Sequence, residues 1–324
     1  MEYTRFGKTD LHVSKVCFGT WQQGGDWGSF EVEQAQAAMR RALELGINFF
    51  DTAQAYGFGK AEQILGEALK DEIKERRDEL VLATKGGLRM EDGELLRDSS
   101  PEWLRKGVED SLRFLGTDYI DLYQIHWPDS DRPFEEMAEV LDGFVKEGLI
   151  RYVGVSNYDE KQMAAFEKGR KLDALQPPYH LFRREVEERI LPYAYEHDVG
   201  VLVYGPLAHG LLTGKYDPDE EFSEDDWRSQ SDIFQGETFR RNLAVVDKLD
   251  AFAAERGYDV TQLAVAWVLA NPAVDVAIVG ARKPAHIEGT APASDIHLTD
   301  GDLQEIEEIM NEAKMVGGPS PEGV

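Results

Sequence analysis

Leu80-Val81-Leu82-Ala83-Thr84-Lys85, then Pro101 to Leu115, then Ile120-Asp121-Leu122-Tyr123, then Phe134 to Lys146: the reading of this stretch decides the fold. A short apolar run rich in β-branched or aromatic residues reads as a buried strand, and the segment after it repeats on a helical period. Leu104, Val108, Ser111, Leu112 and Leu115 share one face, Ser99 or Ser100 can cap that helix, Pro101 suits its first position, and Gly116 ends it. The same alternation extends in both directions. Before it come Val16–Phe18 with Glu31–Leu45 and Phe49–Phe50 with Ala61–Lys70. After it come Tyr152–Val155 with Lys161–Lys168, Ala174–Leu175 with Val186–Glu196, Val201–Val203 with a longer helical region, and Val276–Val279 with Pro284–Gly289. Strict alternation implies parallel strands joined by crossover helices, and eight units allow closure into an α/β barrel of the (β/α)8 TIM type. An open doubly wound sheet competes, but its dinucleotide site needs a Gly-x-Gly-x-x-Gly turn after the first strand, and none is there. Tyr3–Phe6 and Leu11–Val13 flank Gly7-Lys8-Thr9-Asp10, which predicts an N-terminal β-hairpin closing the bottom of the barrel. Ala208–Thr238 and an additional C-terminal helical segment from Gly301 exceed a minimal barrel, and we expect one domain spanning 1–324.

Composition narrows what such a barrel does. The longest apolar stretch, about eight residues from Leu263 to Ala270, is far short of a membrane span, and Met1-Glu2-Tyr3-Thr4-Arg5 has no apolar signal core. Cys17 is the sole cysteine and lies inside Val16-Cys17-Phe18, so a buried structural thiol and a reducing cytoplasm are expected. Acidic residues number 62 against 35 Lys and Arg, a formal net charge of −27. Such a surface does not suit nucleic acid as a partner. The acidity is read equally as a solubility feature or as adaptation to concentrated salt, where a Debye length of about 3 Å at 1 M screens self-repulsion.

Asp51, Tyr56, Lys85 and His126 each stand at or just past the end of a strand-like run, and a parallel barrel gathers such positions at one mouth. A phenol with an ordinary pKa near 10 donates a proton readily at neutral pH only if its phenolate is stabilised. The Lys85 ammonium can do that, Asp51 can keep the ammonium charged, and His126 can hydrogen-bond a substrate oxygen or pass a proton. Singly, each has an ordinary structural explanation: an ion pair at strand ends, a packed tyrosine, a stacked His126-Trp127. Their joint placement points to polarisation of a carbonyl. A different chemistry for the same barrel is a Schiff base on Lys85, which makes an aldolase-type lyase. His197, His209, His286 and His297 show no spacing that pairs them into a metal-ligand set, and solvated surface or loop positions are expected for each.

Gly46-Ile47-Asn48-Phe49-Phe50-Asp51-Thr52-Ala53, with Tyr56, Glu62 and Gly66, Gly154-Val155-Ser156-Asn157 and Gly280-Ala281-Arg282-Lys283-Pro284, closely resembles the aldo-keto reductases. The resemblance runs from Tyr3 to about Lys314. Tyr204-Gly205-Pro206-Leu207 through Gly210-Leu211-Leu212-Thr213-Gly214-Lys215 is most similar to the bacterial branch associated with general stress and inositol operons. The resemblance implies reduction of small-molecule carbonyls by direct hydride transfer from a nicotinamide cofactor held without a Rossmann fold and without a metal. It implies Tyr56 as general acid, Lys85 and Asp51 as the pair that lowers its pKa, and His126 as the group that orients the carbonyl. Ser156, Asn157 and Gln176 match carboxamide-binding positions, and Tyr204 matches the aromatic residue that stacks on the nicotinamide. Gly19, Thr20 and Trp21 match the cofactor-bordering end of the first strand, with Trp21 and Trp127 walling the substrate pocket. Gly205, Pro206, Leu207, Gly210 and Lys215 fall in the loop that covers the pyrophosphate. Arg282, within Gly280-Ala281-Arg282, falls where the family places its cation for the 2′-phosphate of NADP, with Lys283 beside it. His286 and Thr290 stand where the family often has Gln and Asn, a departure that leaves NADPH preferred and NADH open. The resemblance also admits a cofactor-binding regulatory subunit, as in relatives of potassium-channel β-subunits.

Overall fold

Eight parallel strands close into one barrel in the computed structural model, which describes residues 1–25, 30–222 and 227–317. We number the barrel strands β1 (Val16–Gly19), β2 (Phe49–Asp51), β3 (Val81–Gly86), β4 (Ile120–Ile125), β5 (Ile150–Ser156), β6 (Ala174–Gln176), β7 (Gly200–Val203) and β8 (Val276–Gly280). Each pairs with the next in sequence, and β8 returns to β1 with Gly280 opposite Gly19. The (β/α)8 architecture expected from the alternation is therefore the observed one.

Strand periodicity sorts the core into two layers and leads directly to the site. In a strand, successive side chains point to opposite faces. Cys17, Phe49, Val81, Ala83, Leu122, Ala174, Leu202, Val276 and Ile278 form one buried cluster inside the barrel. Their neighbours Val16, Phe18, Phe50, Leu82, Tyr123, Val153, Leu175, Val203 and Val279 belong to a second, larger cluster under the surrounding helices. Continued by two residues, the inward series reaches Gly19, Asp51, Lys85, Gln124, Gln176, Tyr204 and Gly280. The register brings Gly19 opposite Asp51, Lys85 opposite Gln124, and Gln176 opposite Ser156, so these positions share one rim.

The opposite end is sealed by the expected hairpin, Tyr3–Arg5 paired with His12–Ser14. Phe6 is fully buried edge-on to Phe49 at 5.7 Å, and the Lys8 amide donates to the Asp198 carbonyl at 3.1 Å. Gly7 is required there: its φ is 49°, and a β-carbon would run into the backbone of Gly200. Cys17 is buried, and burial together with the nearby Asp51 charge raises its thiol well above the ordinary range, as a structural cysteine should be.

The helix at Pro101–Leu115 is capped by Ser100, whose Oγ accepts from the Trp103 amide at 3.3 Å, and ends at Gly116 in the left-handed region with φ of 67°. The expected helix over Ala61–Lys70 divides into Lys60–Ala68 and Lys70–Glu75, and Val186–Glu196 resolves into a 3-10 turn at Glu185–Glu187 and a helix at Ile190–Glu196. A second hairpin, Leu88–Glu91 with Glu94–Arg97, follows β3 and was not expected. Between β7 and β8, short 3-10 turns precede two helices, Gly236–Glu255 and Val260–Leu269; Asp300–Met310 supplies the C-terminal helix. Parts of the long loop and the tail, residues 223–226 and 318–324, lie outside the described residues. Among the described residues, no helix is long and apolar enough to cross a membrane.

Candidate active site

The Lys85 ammonium lies at the rim with no exposed surface, 2.6 Å from Asp51 Oδ1 and 2.9 Å from the Thr52 carbonyl that it also donates to. The second oxygen of Asp51 accepts from Gln176 Nε2 at 3.0 Å and Gln124 Nε2 at 3.4 Å. Burial raises the Asp51 carboxyl above its usual range, while the Lys85 charge, its hydrogen bond and the two amides act in the other direction. Tyr56 is buried with its ring centroid 5.2 Å from Lys85 Nζ and 5.7 Å from the His126 ring, edge to face. Its loop is held by the Tyr56 amide on the Ala53 carbonyl and by the Ala61 amide on the Tyr56 carbonyl. His126 is 3% exposed, and neither ring nitrogen has a hydrogen-bond partner among the described residues. Burial, and then the Lys85 charge, push its pKa well below the ordinary value. The imidazole is neutral, with one nitrogen to donate and one to accept. Acid, phenol, ammonium and imidazole thus meet as expected.

A cavity of about 730 Å³ runs from this cluster across the mouth. Gly19, Thr20, Trp21, Asp51, Tyr56 and Gln176 line its inner end; Tyr204, Gly205, Pro206, Leu207, Gly210 and Lys215 line one side; Gly280, Arg282, His286 and Thr290 line the other. Three expected cofactor residues, Ser156, Asn157 and Ala281, are outside this lining, and their polar groups make hydrogen bonds within the framework. Ser156 Oγ donates to the Gln176 carbonyl at 2.8 Å. Asn157 Nδ2 donates to the His126 carbonyl and to Ser156 Oγ, both at 3.1 Å, while its Oδ1 accepts from the Tyr204 hydroxyl at 2.8 Å. Ala281 is fully buried and its carbonyl accepts from Gln23 Nε2 at 2.9 Å. His126 and Trp127 are also outside it, Trp127 lying under the Arg97 guanidinium at 5.4 Å.

Sequence reasoning did not single out Gln124, which shares Asp51 with Gln176. It stands two residues before His126 in the inward series, so strand parity alone could have found it. Nor did it foresee that His209 is part of the cavity wall. This half-buried imidazole makes edge contacts with Trp21 at 6.0 Å and Trp227 at 5.0 Å, and burial with the Arg183 and Arg228 charges pushes its pKa down to about 3. Ala208 and His209 reach this place through left-handed backbone, φ 48° and 54°, where no local sequence rule puts them. Among the described residues, no group of three His, Cys, Asp or Glu side chains is arranged to hold a metal ion.

A parallel eight-stranded barrel with an Asp–Lys pair at its rim, and a tyrosine and a neutral histidine just past the strand ends, defines a class, and residues 15–311 match the model of the Aldo/keto reductase family. The chain belongs to that family and is an NAD(P)H-dependent oxidoreductase acting on carbonyl chemistry. It is 42% identical over 312 residues to Aldo-keto reductase YhdN of Bacillus subtilis (strain 168), covering 96% of this chain and 94% of that protein. It is 31% identical over 316 residues to Aldo-keto reductase yakc [NADP(+)] of Schizosaccharomyces pombe, covering 96% and 92%. Among solved structures, the glycerol dehydrogenase AKR11B4 from Gluconobacter oxydans superposes with a TM-score of 0.89 at 40% identity, covering 98% of each chain.

Proposed function

We propose that this chain reduces aldehydes or ketones to alcohols with NADPH, reversibly, with Tyr56 as the general acid. The observation that carries the reading is the buried ammonium of Lys85, ion-paired to Asp51 and facing the Tyr56 ring beside a neutral His126. When bound, the reduced nicotinamide supplies the hydride. Tyr56 donates its phenolic proton to the carbonyl oxygen, and Lys85 stabilises the phenolate left behind. Asp51 keeps Lys85 charged, and Gln124 and Gln176 hold Asp51. A neutral His126 donates one hydrogen bond to the substrate oxygen without adding charge. Trp21 walls the carbonyl's side of the site, while Trp127, outside the lining, backs it beside His126.

The residues present fit a dinucleotide. The cavity volume of about 730 Å³ lies in the range of small-molecule and cofactor sites. The Thr20 hydroxyl and the Gln22 side-chain carbonyl are buried without a partner among the described residues, and Lys215 and Arg282 supply positive charge along the lining. Tyr204, steadied by Asn157, would hold the nicotinamide face, Gly205 through Lys215 would cover the pyrophosphate, and Arg282 would read the 2′-phosphate that separates NADPH from NADH. A single barrel domain over 1–324, a cytoplasmic setting and a small-molecule carbonyl partner belong to this reading.

The same geometry weighs against Lys85 as an imine-forming nucleophile. Its Nζ has no exposed surface and is held by two acceptors, the Asp51 carboxyl and the Thr52 carbonyl, whereas Schiff-base chemistry needs an accessible amine. Following NADPH absorbance with a panel of carbonyls tests the proposal. Tyr56→Phe is expected to lose about 10²–10⁴-fold in kcat while the NADPH dissociation constant stays within about twofold, because the phenol acts mainly in the transition state. Wild-type turnover by that variant would remove Tyr56 from the role. Absence of turnover by the parent with every carbonyl would favour a regulatory subunit.

A further inference from the structure

Behind the rim, between β3 and the helix Pro101–Leu115, lies a buried carboxyl that the reaction as described does not use. Glu62 has no exposed surface. Its Oε1 accepts from the Thr84 hydroxyl at 2.7 Å, and its Oε2 makes no hydrogen bond of good geometry among the described residues. The Tyr123 hydroxyl and Gln54 Oε1 are likewise buried without a hydrogen-bond partner among the described residues. Thr84 immediately precedes Lys85. Glu62 sits in the first turn of the helix Lys60–Ala68, whose Ala61 amide donates to the Tyr56 carbonyl at 3.2 Å. One side chain therefore ties the loop and helix that carry the phenol to the strand that carries the ammonium.

We propose that Glu62 is a positioning residue for carbonyl reduction: through Thr84 it fixes Lys85 relative to Tyr56, and the charge state of its carboxyl sets how strongly Lys85 stabilises the phenolate. The inference rests on the reductase reading above. The groups facing Glu62 are Thr84 and Lys85 on β3, Tyr123 on β4, and Ser111 and Asp110 on the helix Pro101–Leu115, with Asp51 on β2 reaching it through Lys85. Burial pushes the Glu62 carboxyl up to about 7; the Ser111 and Thr84 hydroxyls act against this, Asp110 adds to it, and the Lys85 charge opposes it. Glu62 is thus neutral on the acid side of neutrality and anionic on the alkaline side. Once anionic, it offsets part of the Lys85 field and makes Tyr56 a weaker acid.

Glu62→Gln keeps an acceptor for Thr84 and removes the titration; Glu62→Ala removes both. The full-length protein is assayed for kcat with NADPH and a reducible aldehyde between about pH 6 and about pH 8.5, with cofactor affinity and circular dichroism as folding controls. The expected result is a ratio of Glu62→Gln to parent kcat that rises roughly fivefold across that range, and a loss of about tenfold or more for Glu62→Ala at unchanged NADPH affinity. In ¹⁵N-lysine-labelled protein, the Lys85 Nζ resonance is expected to inflect near pH 7 in the parent and not in Glu62→Gln. This readout needs no turnover, so it decides the Glu62 assignment even if the parent reduces no carbonyl or Glu62→Ala fails to fold. Superimposable pH profiles and a Lys85 resonance without the parent-specific inflection would overturn the proposal. Absence of turnover with the inflection present would overturn the reductase reading alone.

Discussion

In the function proposed above, Tyr56 would be a useful acid only through its neighbours, so at the residue scale the site is a charge arrangement more than a set of side chains. Lys85 is placed by two acceptors, Asp51 and the Thr52 carbonyl, and Asp51 in turn by two glutamine amides. Most of this was legible in the sequence, because each residue ends an inward-facing series on its strand. Which polar groups face the cavity was not legible. Ser156 and Asn157 bond through their side chains to Gln176, His126 and Tyr204, across strands that sequence spacing does not relate. Cofactor choice is a residue-scale question too. Arg282→Ala is expected to raise the NADPH dissociation constant about 10- to 100-fold and that for NADH by no more than about twofold, since a charge-assisted contact to phosphate is worth roughly 1.5–3 kcal/mol. Fluorescence titration with both nucleotides checks this, and equal losses would hand the 2′-phosphate to another residue such as Lys283.

β3 shows how an element couples packing to chemistry. Thr84 faces Glu62, Lys85 turns to the rim, and Gly86 lets the strand pass the Tyr123 hydroxyl, which a β-carbon at Gly86 would strike. Gly86→Ala is therefore expected to cost about 1–3 kcal/mol in chemical denaturation and to lower kcat by displacing Lys85. Unchanged stability with unchanged kcat would show that the strand end yields without moving the ammonium. Element boundaries followed local chemistry where a cap or a breaker exists, as at Ser100 and Gly116. They were missed where tertiary contacts choose the path. Leu88–Glu91 and Glu94–Arg97 form a hairpin whose Arg97 donates to the Pro128 carbonyl at 2.9 Å, a contact with the following strand's loop that no local pattern announces.

For the whole molecule, pH and salt are the informative variables. Burial raises Glu62 from 4.5 to about 7 and Asp275, which accepts from the Val201 amide, from 3.8 to about 6. A carboxyl raised in the folded state contributes stability that is full below its unfolded pKa and lost as pH rises through the folded value. Glu62→Gln should therefore gain stability relative to the parent between about pH 5 and about pH 8, by at most roughly 3 kcal/mol, read as the difference in melting temperature at the two ends. A difference independent of pH would mean that Glu62 titrates normally. The net charge of −27 leads to a second test. If the acidity answers a saline cytoplasm, melting temperature and activity should both rise from low to molar KCl, whereas simple screening levels off by about 0.15 M, where the Debye length is near 8 Å. A flat melting temperature with full activity in dilute buffer would leave the charge as a solubility feature. The sequence by itself determined the barrel and the polar residues at its rim, because strand period and strand–helix alternation are local properties, and they dictate which polar residues end the inward series. Only the tertiary structure decided which of those groups line the cavity, how Glu62 and Thr84 stand behind Lys85, and how His209 enters the wall on left-handed backbone. Burial, cross-strand hydrogen bonds and close packing arise between residues that are distant in sequence, and their energies exist only once the chain has closed on itself.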